Sequence, residues 1–305
     1  MAQYLIVGAG PVGSAVAQLL AHHGHGVRLV TRGGSGPDHP LITRIALDAT
    51  RSEELSELAS GCAAIFNCAN PRYHRWPTDW PPIATSLLVA AARSSAVLTT
   101  LSNLYAYGRP TGPMSPDSPF LADYEKAQVR ATMWHDALSA HDDGRLRATE
   151  VRASDFIGPD AQSALGAPVV SRVLAGKRCW VLGASDQLHS WSYTKDVART
   201  LVACAHNPEA WGQAWHAATN PPRTQRQVID DLADVAGVDH VAMSTIPTSV
   251  LRLVGLVNPV ARELPTTLYQ FNEPFVIDDS ATRMKLGIEP TPWLEVLRDT
   301  IASSR

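Results

Sequence analysis

Three glycines near the start of the chain narrow what the rest can fold into. The run YLIV (residues 4–7) is short and apolar, GAGPVG follows at once, and SAVAQLLAHHG then continues as a helical stretch. Gly8 permits a tight turn, Gly10 lets the backbone approach a pyrophosphate, and Gly13 lets helix and strand pack closely. Pro11 and Val12 complete the loop, and the helix N-terminus presents free N–H groups to the anion. Strand, glycine turn and helix together predict a dinucleotide-binding βαβ unit.

The pattern continues. Strand-like runs fall at residues 27–30, 42–47, 63–68, 97–101 and 148–151, with helical segments at 85–93 and 126–140 among them. Alternating strand and helix imply an α/β fold, a Rossmann-type doubly wound parallel sheet covered on both faces. The second half changes character: Pro and Gly are scattered through residues 158–183, helical runs follow at 195–206 and 224–235, and PFVID (274–278) is a strand candidate. Residues 1–157 are therefore expected to form the NAD(P)-binding domain and 158–305 a smaller substrate lobe, with segments free to cross between them. Ligands of open α/β sheets bind at the C-terminal ends of the strands.

Composition excludes several function classes. The chain has 305 residues, ample for a core, and a formal net charge of −3 leaves no electrostatic footprint for nucleic acid. Cys62, Cys68, Cys179 and Cys204 form no C-x-x-C pair and read as reduced, buried thiols, and HHGHG (residues 22–26) reads as a helix end and turn; no metal is expected. No apolar run approaches the length of about 18 residues that a membrane span requires, and no signal-peptide pattern opens the chain. The expectations are a cytoplasmic protein, a small-molecule substrate and no membrane or nucleic-acid partner; a homodimer is compatible with them.

The second strand ends VRLVTRGG. Where an acidic side chain usually holds both ribose hydroxyls of NAD, this chain has Thr31 followed by Arg32. A guanidinium suits a 2′-phosphate, so NADP(H) is expected over NAD(H).

With these residues in hand the chain resembles the extended short-chain dehydrogenases/reductases, in their NAD-dependent epimerase/dehydratase branch, over most of its length. GAGPVG matches the family's glycine motif, and LDAT, with Asp48, its adenine-contacting acidic position. NCANP, with Ala69 and Asn70, falls where the family lines its cofactor channel. LSNLYAYG matches the strand and loop that carry a catalytic Ser or Thr and end in Tyr-Gly. VRASDFIGP, with Ser154, matches the segment running past the nicotinamide, SYTKDVA, with Asp196, a substrate-lobe helix start, and LGIEPTPWLEVLRDT the usual ending. The departures concern catalysis. Aligning Tyr107-Gly108 puts Asn103 at the catalytic Ser or Thr, with Ser102 one residue early. Aligning Lys126 with the family lysine puts Ala122 at its tyrosine, and His189 stands where sugar-nucleotide enzymes often carry an arginine.

Lys126 keeps a use without the tyrosine, because an ammonium can hydrogen-bond the nicotinamide ribose. Tyr124 is two residues from Lys126, on a different helical face, and is expected to be a bystander. Asn103 can donate a hydrogen bond to a carbonyl oxygen but not a proton. Alternation along an extended segment puts Asn103, Tyr105 and Tyr107 on one side; Tyr107 reads as loop packing, and Tyr105 as either a proton donor or packing. Trp76 and Trp80, in a loop after the cofactor channel, and Tyr269, Phe271 and Phe275 in the lobe point to an apolar or planar substrate. The expected activity is NADP(H)-dependent reduction of a carbonyl, or oxidation of the alcohol, on a small organic molecule. The alternatives are an epimerase or dehydratase with transient oxidation, and a non-catalytic NADP(H)-binding sensor or scaffold.

Overall fold

A computed structural model describes residues 1–304. The first half carries β1 (Gln3–Val7), α1 (Pro11–His22), β2 (Gly26–Thr31), β3 (Ile42–Ala46), α2 (Ser52–Ala59), β4 (Cys62–Asn67), α3 (Trp76–Ser94), β5 (Val97–Ser102), α4 (Glu125–Asp142) and β6 (Arg147–Arg152). Then come β7 (Asp155–Ile157), α5 (Ala167–Leu174), β8 (Cys179–Val181), β9 (Trp191–Tyr193), α6 (Thr194–His206) and β10 (Ala214–His216). The chain closes with α7 (Gln225–Ala236), β11 (Met243–Thr245), α8 (Thr248–Val254), α9 (Pro259–Thr267), α10 (Tyr269–Asn272), α11 (Ser280–Leu286) and α12 (Trp293–Ala302).

Seven strands form one sheet in the order β10-β6-β5-β4-β1-β2-β3, and every pairing is parallel. Both faces are covered, which is why the strands read as apolar runs rather than as alternation. Along β1 the side chains still alternate: Tyr4 and Ile6 enter one core with α1 and α6, whereas Leu5 and Val7 enter the other with α2 and α3. The strand order reverses between β1 and β4, so the crevice of a doubly wound sheet opens at the C-terminal ends of those two strands.

The six strands expected in the first half are β1 to β6. In the second half α6 packs on α1, and β10 joins the main sheet beside β6, so the chain crosses back from the lobe before leaving again. The lobe itself is built on two small parallel pairs, β7 with β9 and β8 with β11, over an apolar cluster of its own. PFVID is extended but makes only isolated bridges, Phe275 to His189 and Ile277 to Met114, because it spans two separate loops rather than pairing with one strand. Asp196 at the start of α6 is fully buried; it accepts the Thr291 N–H at 2.7 Å and the Thr291 hydroxyl at 2.6 Å, pinning the C-terminal segment to the sheet. Among the described residues no helix is long and apolar enough to cross a membrane.

Candidate active site

The glycine turn has the geometry its sequence implied. Gly8 has φ +102°, and a Cβ there would lie 2.4 Å from the Cys68 carbonyl oxygen; a Cβ on Gly13 would lie 2.0 Å from the Gly8 carbonyl oxygen. Both positions exclude side chains because backbone meets backbone. Gly10 differs: a Cβ there would meet nothing within 4 Å, because its flank opens into a cavity. Gly10 caps α1 without any side-chain bond, and Pro11 follows at the first helical position, so N–H groups of the first turn are left for a ligand. Gly10, Pro11, Val12 and Gly13 line the cavity with Cys68, Ala69 and Asn70 from the end of β4. These residues fit a dinucleotide's pyrophosphate.

Thr31, Arg32 and Asp48 stand at the ends of β2 and β3, outside the cavity lining. The Thr31 hydroxyl accepts the Ser35 N–H at 2.8 Å and closes the turn after β2. Asp48 accepts from the Thr50 N–H at 3.0 Å and the Thr50 hydroxyl at 2.9 Å, bonds that hold its carboxyl below the usual range, with the Arg32 charge adding a lesser pull. Arg32 itself is exposed.

Across the crevice the lining comes from many elements: Ser102 at the end of β5, Asn103 and Tyr105 after it, Tyr73 and Trp76 before and in α3, and Ser154, Asp155 and Phe156 around the start of β7. The Asn103 side-chain oxygen accepts the Tyr105 N–H at 3.1 Å, which leaves its NH2 group as the free donor. The Tyr73 hydroxyl donates to the Tyr105 hydroxyl at 3.3 Å, and burial pushes both phenols up, Tyr105 well above its ordinary value. The expected alternation of Asn103, Tyr105 and Tyr107 does not hold. Residues Tyr105–Tyr107 curl into a single 3-10 turn, which sends Tyr107 away from the cavity. There its hydroxyl lies 3.0 Å from His216 Nε2 and accepts from Arg152 at 2.6 Å, a buried packing role.

Helix α4 bears on three further expectations. It begins at Glu125, so Ala122 lies before it, against Gly108, rather than one helical turn above Lys126. Tyr124 precedes the first turn; its hydroxyl is 3.3 Å from that of Tyr269 and its ring packs on Tyr105, half-buried one layer behind the cavity. Lys126 is buried, donates to Glu263 of α9, and places its ammonium 4.6 Å from the Tyr73 ring centre. Tyr73 and the Glu263 pair hold it off the lining. The α4 residue that reaches the cavity is one turn further on, Arg130.

Sequence reading missed Arg130. Its guanidinium lies 4.6 Å from the Trp76 ring centre and 4.4 Å from that of Trp80. Among the described residues no carboxylate pairs with it; Nη1 donates weakly to the Leu101 carbonyl at 3.4 Å, and Nε has no partner. Burial lowers its pKa to about 10, so it stays charged at neutral pH. The four-residue spacing from Lys126 was the available signal, since it puts both on one helical face.

The two tryptophans occupy the first turns of α3 rather than a loop: Trp76 lines the cavity, whereas Trp80 is fully buried behind Arg130. In the lobe, Gln270 and Phe275 line the cavity, while Tyr269 faces Tyr124 and Phe271 stacks on His189 with ring centres 4.9 Å apart. His189, fully buried, places Nε2 3.0 Å from Asp155 Oδ2 and 3.4 Å from the Ser154 hydroxyl, and Nδ1 3.0 Å from the Gln270 carbonyl oxygen. The four cysteines are buried free thiols, and among the described residues no cluster of metal-binding side chains forms.

Residues 4–217 match the NAD dependent epimerase/dehydratase family. No curated protein matches the sequence. Solved structures with the same fold include the UDP-N-acetylglucosamine 4-epimerase of Methanobrevibacter ruminantium M1 in complex with UDP-N-acetylmuramic acid, 17% identical, covering 99% of this chain and 97% of that one, TM-score 0.81. The UDP-glucose 4-epimerase of Thermotoga maritima with UDP-glucose is 17% identical over 99% and 98% of the two chains, TM-score 0.80. The dTDP-glucose 4,6-dehydratase of Bacillus anthracis in complex with NAD is 17% identical over 99% and 96%, TM-score 0.80.

Proposed function

The chain belongs to the NAD-dependent epimerase/dehydratase family, and from that premise we propose that it is an NADP(H)-dependent oxidoreductase acting on a carbonyl, or the matching alcohol, of a small organic molecule. The observation that carries this reading is one continuous cavity, lined on one side by the anion-ready turn at Gly10 and Gly13 and on the other by hydrogen-bond donors at the end of β5. The nicotinamide, when bound, supplies the hydride chemistry. The Asn103 amide, fixed by Tyr105, polarises the carbonyl oxygen, with the Ser102 hydroxyl beside it. Arg130 takes the part expected of Lys126, holding ribose oxygens from the same face of α4. Trp76, Phe156 and Phe275 keep water out and favour a planar or apolar substrate. Arg32, with no acidic residue at the end of β2, supports NADP(H) over NAD(H). Four buried free thiols agree with a cytoplasmic location.

A second reading, an epimerase or dehydratase working through transient oxidation, draws support from the family and from the sugar nucleotides bound by the similar structures. Such a cycle needs a Tyr–Lys base, and here Lys126 is committed to Glu263 with no tyrosine one turn before it. Incubating the protein with NADPH and a panel of ketones and aldehydes, while following loss of reduced-nicotinamide absorbance, tests the first reading. Conversion of a sugar-nucleotide panel without net cofactor change would establish the second instead, and tight binding with neither outcome a sensor.

A further inference from the structure

His189 has an oxygen acceptor at each ring nitrogen. Nδ1 faces the Gln270 backbone carbonyl at 3.0 Å, and Nε2 faces Asp155 Oδ2 at 3.0 Å. A carbonyl can only accept a hydrogen bond, and so can an ionised carboxylate, whereas a neutral imidazole carries a single N–H. The ring cannot turn to escape this demand: it is fully buried, stacked on Phe271 and Phe275, with Trp191 at 4.6 Å. Asp155 lies on the cavity wall, together with Ser154, whose hydroxyl is 3.4 Å from Nε2.

We infer that His189 is held as an imidazolium against the Asp155 carboxylate, and that this pair is the proton donor of the site. The inference rests on reading the cavity as a carbonyl-reducing site, where the usual acid is missing. When hydride adds to the carbonyl carbon, the π electrons pass to oxygen, which takes a proton through the Asp155 carboxyl. His189 gives its Nε2 proton to Asp155 in turn and keeps the Nδ1 proton on the Gln270 carbonyl. The pair is left as neutral imidazole and carboxylate, and a proton from water restores it.

The other titratable or charged groups around the pair do not compete for this role. Tyr73 and Tyr105 share the cavity, but burial holds their protons tightly. Arg130 lines the cavity from α4 and gives up no proton near neutral pH. Arg223 bridges to His189 through its backbone and turns its guanidinium to Asp231 at 3.1 Å.

The test has two arms, both on the full chain. In the first, nitrogen-15 NMR of the histidine side chains is recorded near neutral pH without cofactor, with the His189 signals assigned by their loss in His189→Gln. Protons on both His189 ring nitrogens are expected, and on only one in Asp155→Asn. A neutral His189 ring in the unmodified protein overturns the inference. In the second arm, NADPH binding and NADPH oxidation by the carbonyl panel are measured for Asp155→Asn. Affinity should stay within about threefold while turnover falls about 100-fold. Full turnover in Asp155→Asn overturns the inference. If no carbonyl is reduced by the unmodified protein, the reductase reading fails and the delivery step with it, while the two-proton spectrum still stands or falls on its own.

Discussion

The glycine wall of the cavity and the wall opposite are built by opposite rules. On the first, Gly8, Gly10 and Gly13 work by having no side chain, for two different reasons: backbone contact at Gly8 and Gly13, open space at Gly10. On the second, Tyr73, Trp76, Tyr105, Asp155 and Phe275 come from four separated stretches and work through what their side chains touch. Recognition by bare backbone leaves a short local signature. Recognition by converging side chains leaves no such signature.

The comparison is broken most severely by adding a methyl-branched side chain to the first wall. Gly13→Val drives a Cβ into the Gly8 carbonyl and should cost more than about 4 kcal/mol, read as loss of the cooperative unfolding transition. Gly10→Val should keep its thermal midpoint within a few degrees yet lose NADPH binding, because only the ligand's space is filled. Unchanged NADPH binding in Gly10→Val would place the phosphate site elsewhere.

On the second wall the largest effect comes from below the surface. His216 joins Tyr107 to the Asp278 carbonyl at 2.9 Å, and burial lowers its pKa to about 4 from 6.5. A depressed histidine stabilises the fold above the unfolded value and loses that contribution as pH falls toward the folded value. Denaturant melts should therefore show stability dropping by about 3 kcal/mol between pH 6.5 and pH 4 on this account. His216→Gln should flatten most of that slope; an equal slope in the variant would assign it to other groups.

Arg130→Met comes next. A buried cation without a carboxylate partner adds little to stability, so the unfolding free energy should change by no more than about 1 kcal/mol while NADPH affinity falls about tenfold. A loss of stability without a loss of affinity would make Arg130 a structural cation. Arg32→Ala, on the open edge, should erase most of an NADPH-over-NADH preference of about tenfold, measured by titrating both. Equal affinities in the unmodified protein would remove the basis for NADP(H) selection.

The two walls were also unequally legible. Residues 4–13 display strand, turn and helix in the order in which they act, and the strands β1 to β6 follow from buried apolar runs. The facing wall misled because its cues were read as local. Ala122 and Lys126 are four apart in sequence, but helix α4 begins between them, so spacing did not become geometry. Tyr105 and Tyr107 alternate only if the chain stays extended, and the 3-10 turn rotates them apart. Trp76 and Trp80 sit among prolines and still enter a helix, as Pro77 is tolerated in its first turn. Lys126 meets Glu263, and His189 meets Asp155, across chain separations that no motif spans. Arg130 could have been found by following the face of Lys126 one turn further.

A crystal structure of the protein with NADPH tests the account most directly. The pyrophosphate should lie on the first turn of α1 at Gly10 and Gly13, with the nicotinamide between Asn103 and Asp155, Arg130 on its ribose and Lys126 still paired to Glu263. A complex in which Lys126 has left Glu263 to hold the ribose, with Arg130 untouched between its tryptophans, would contradict it.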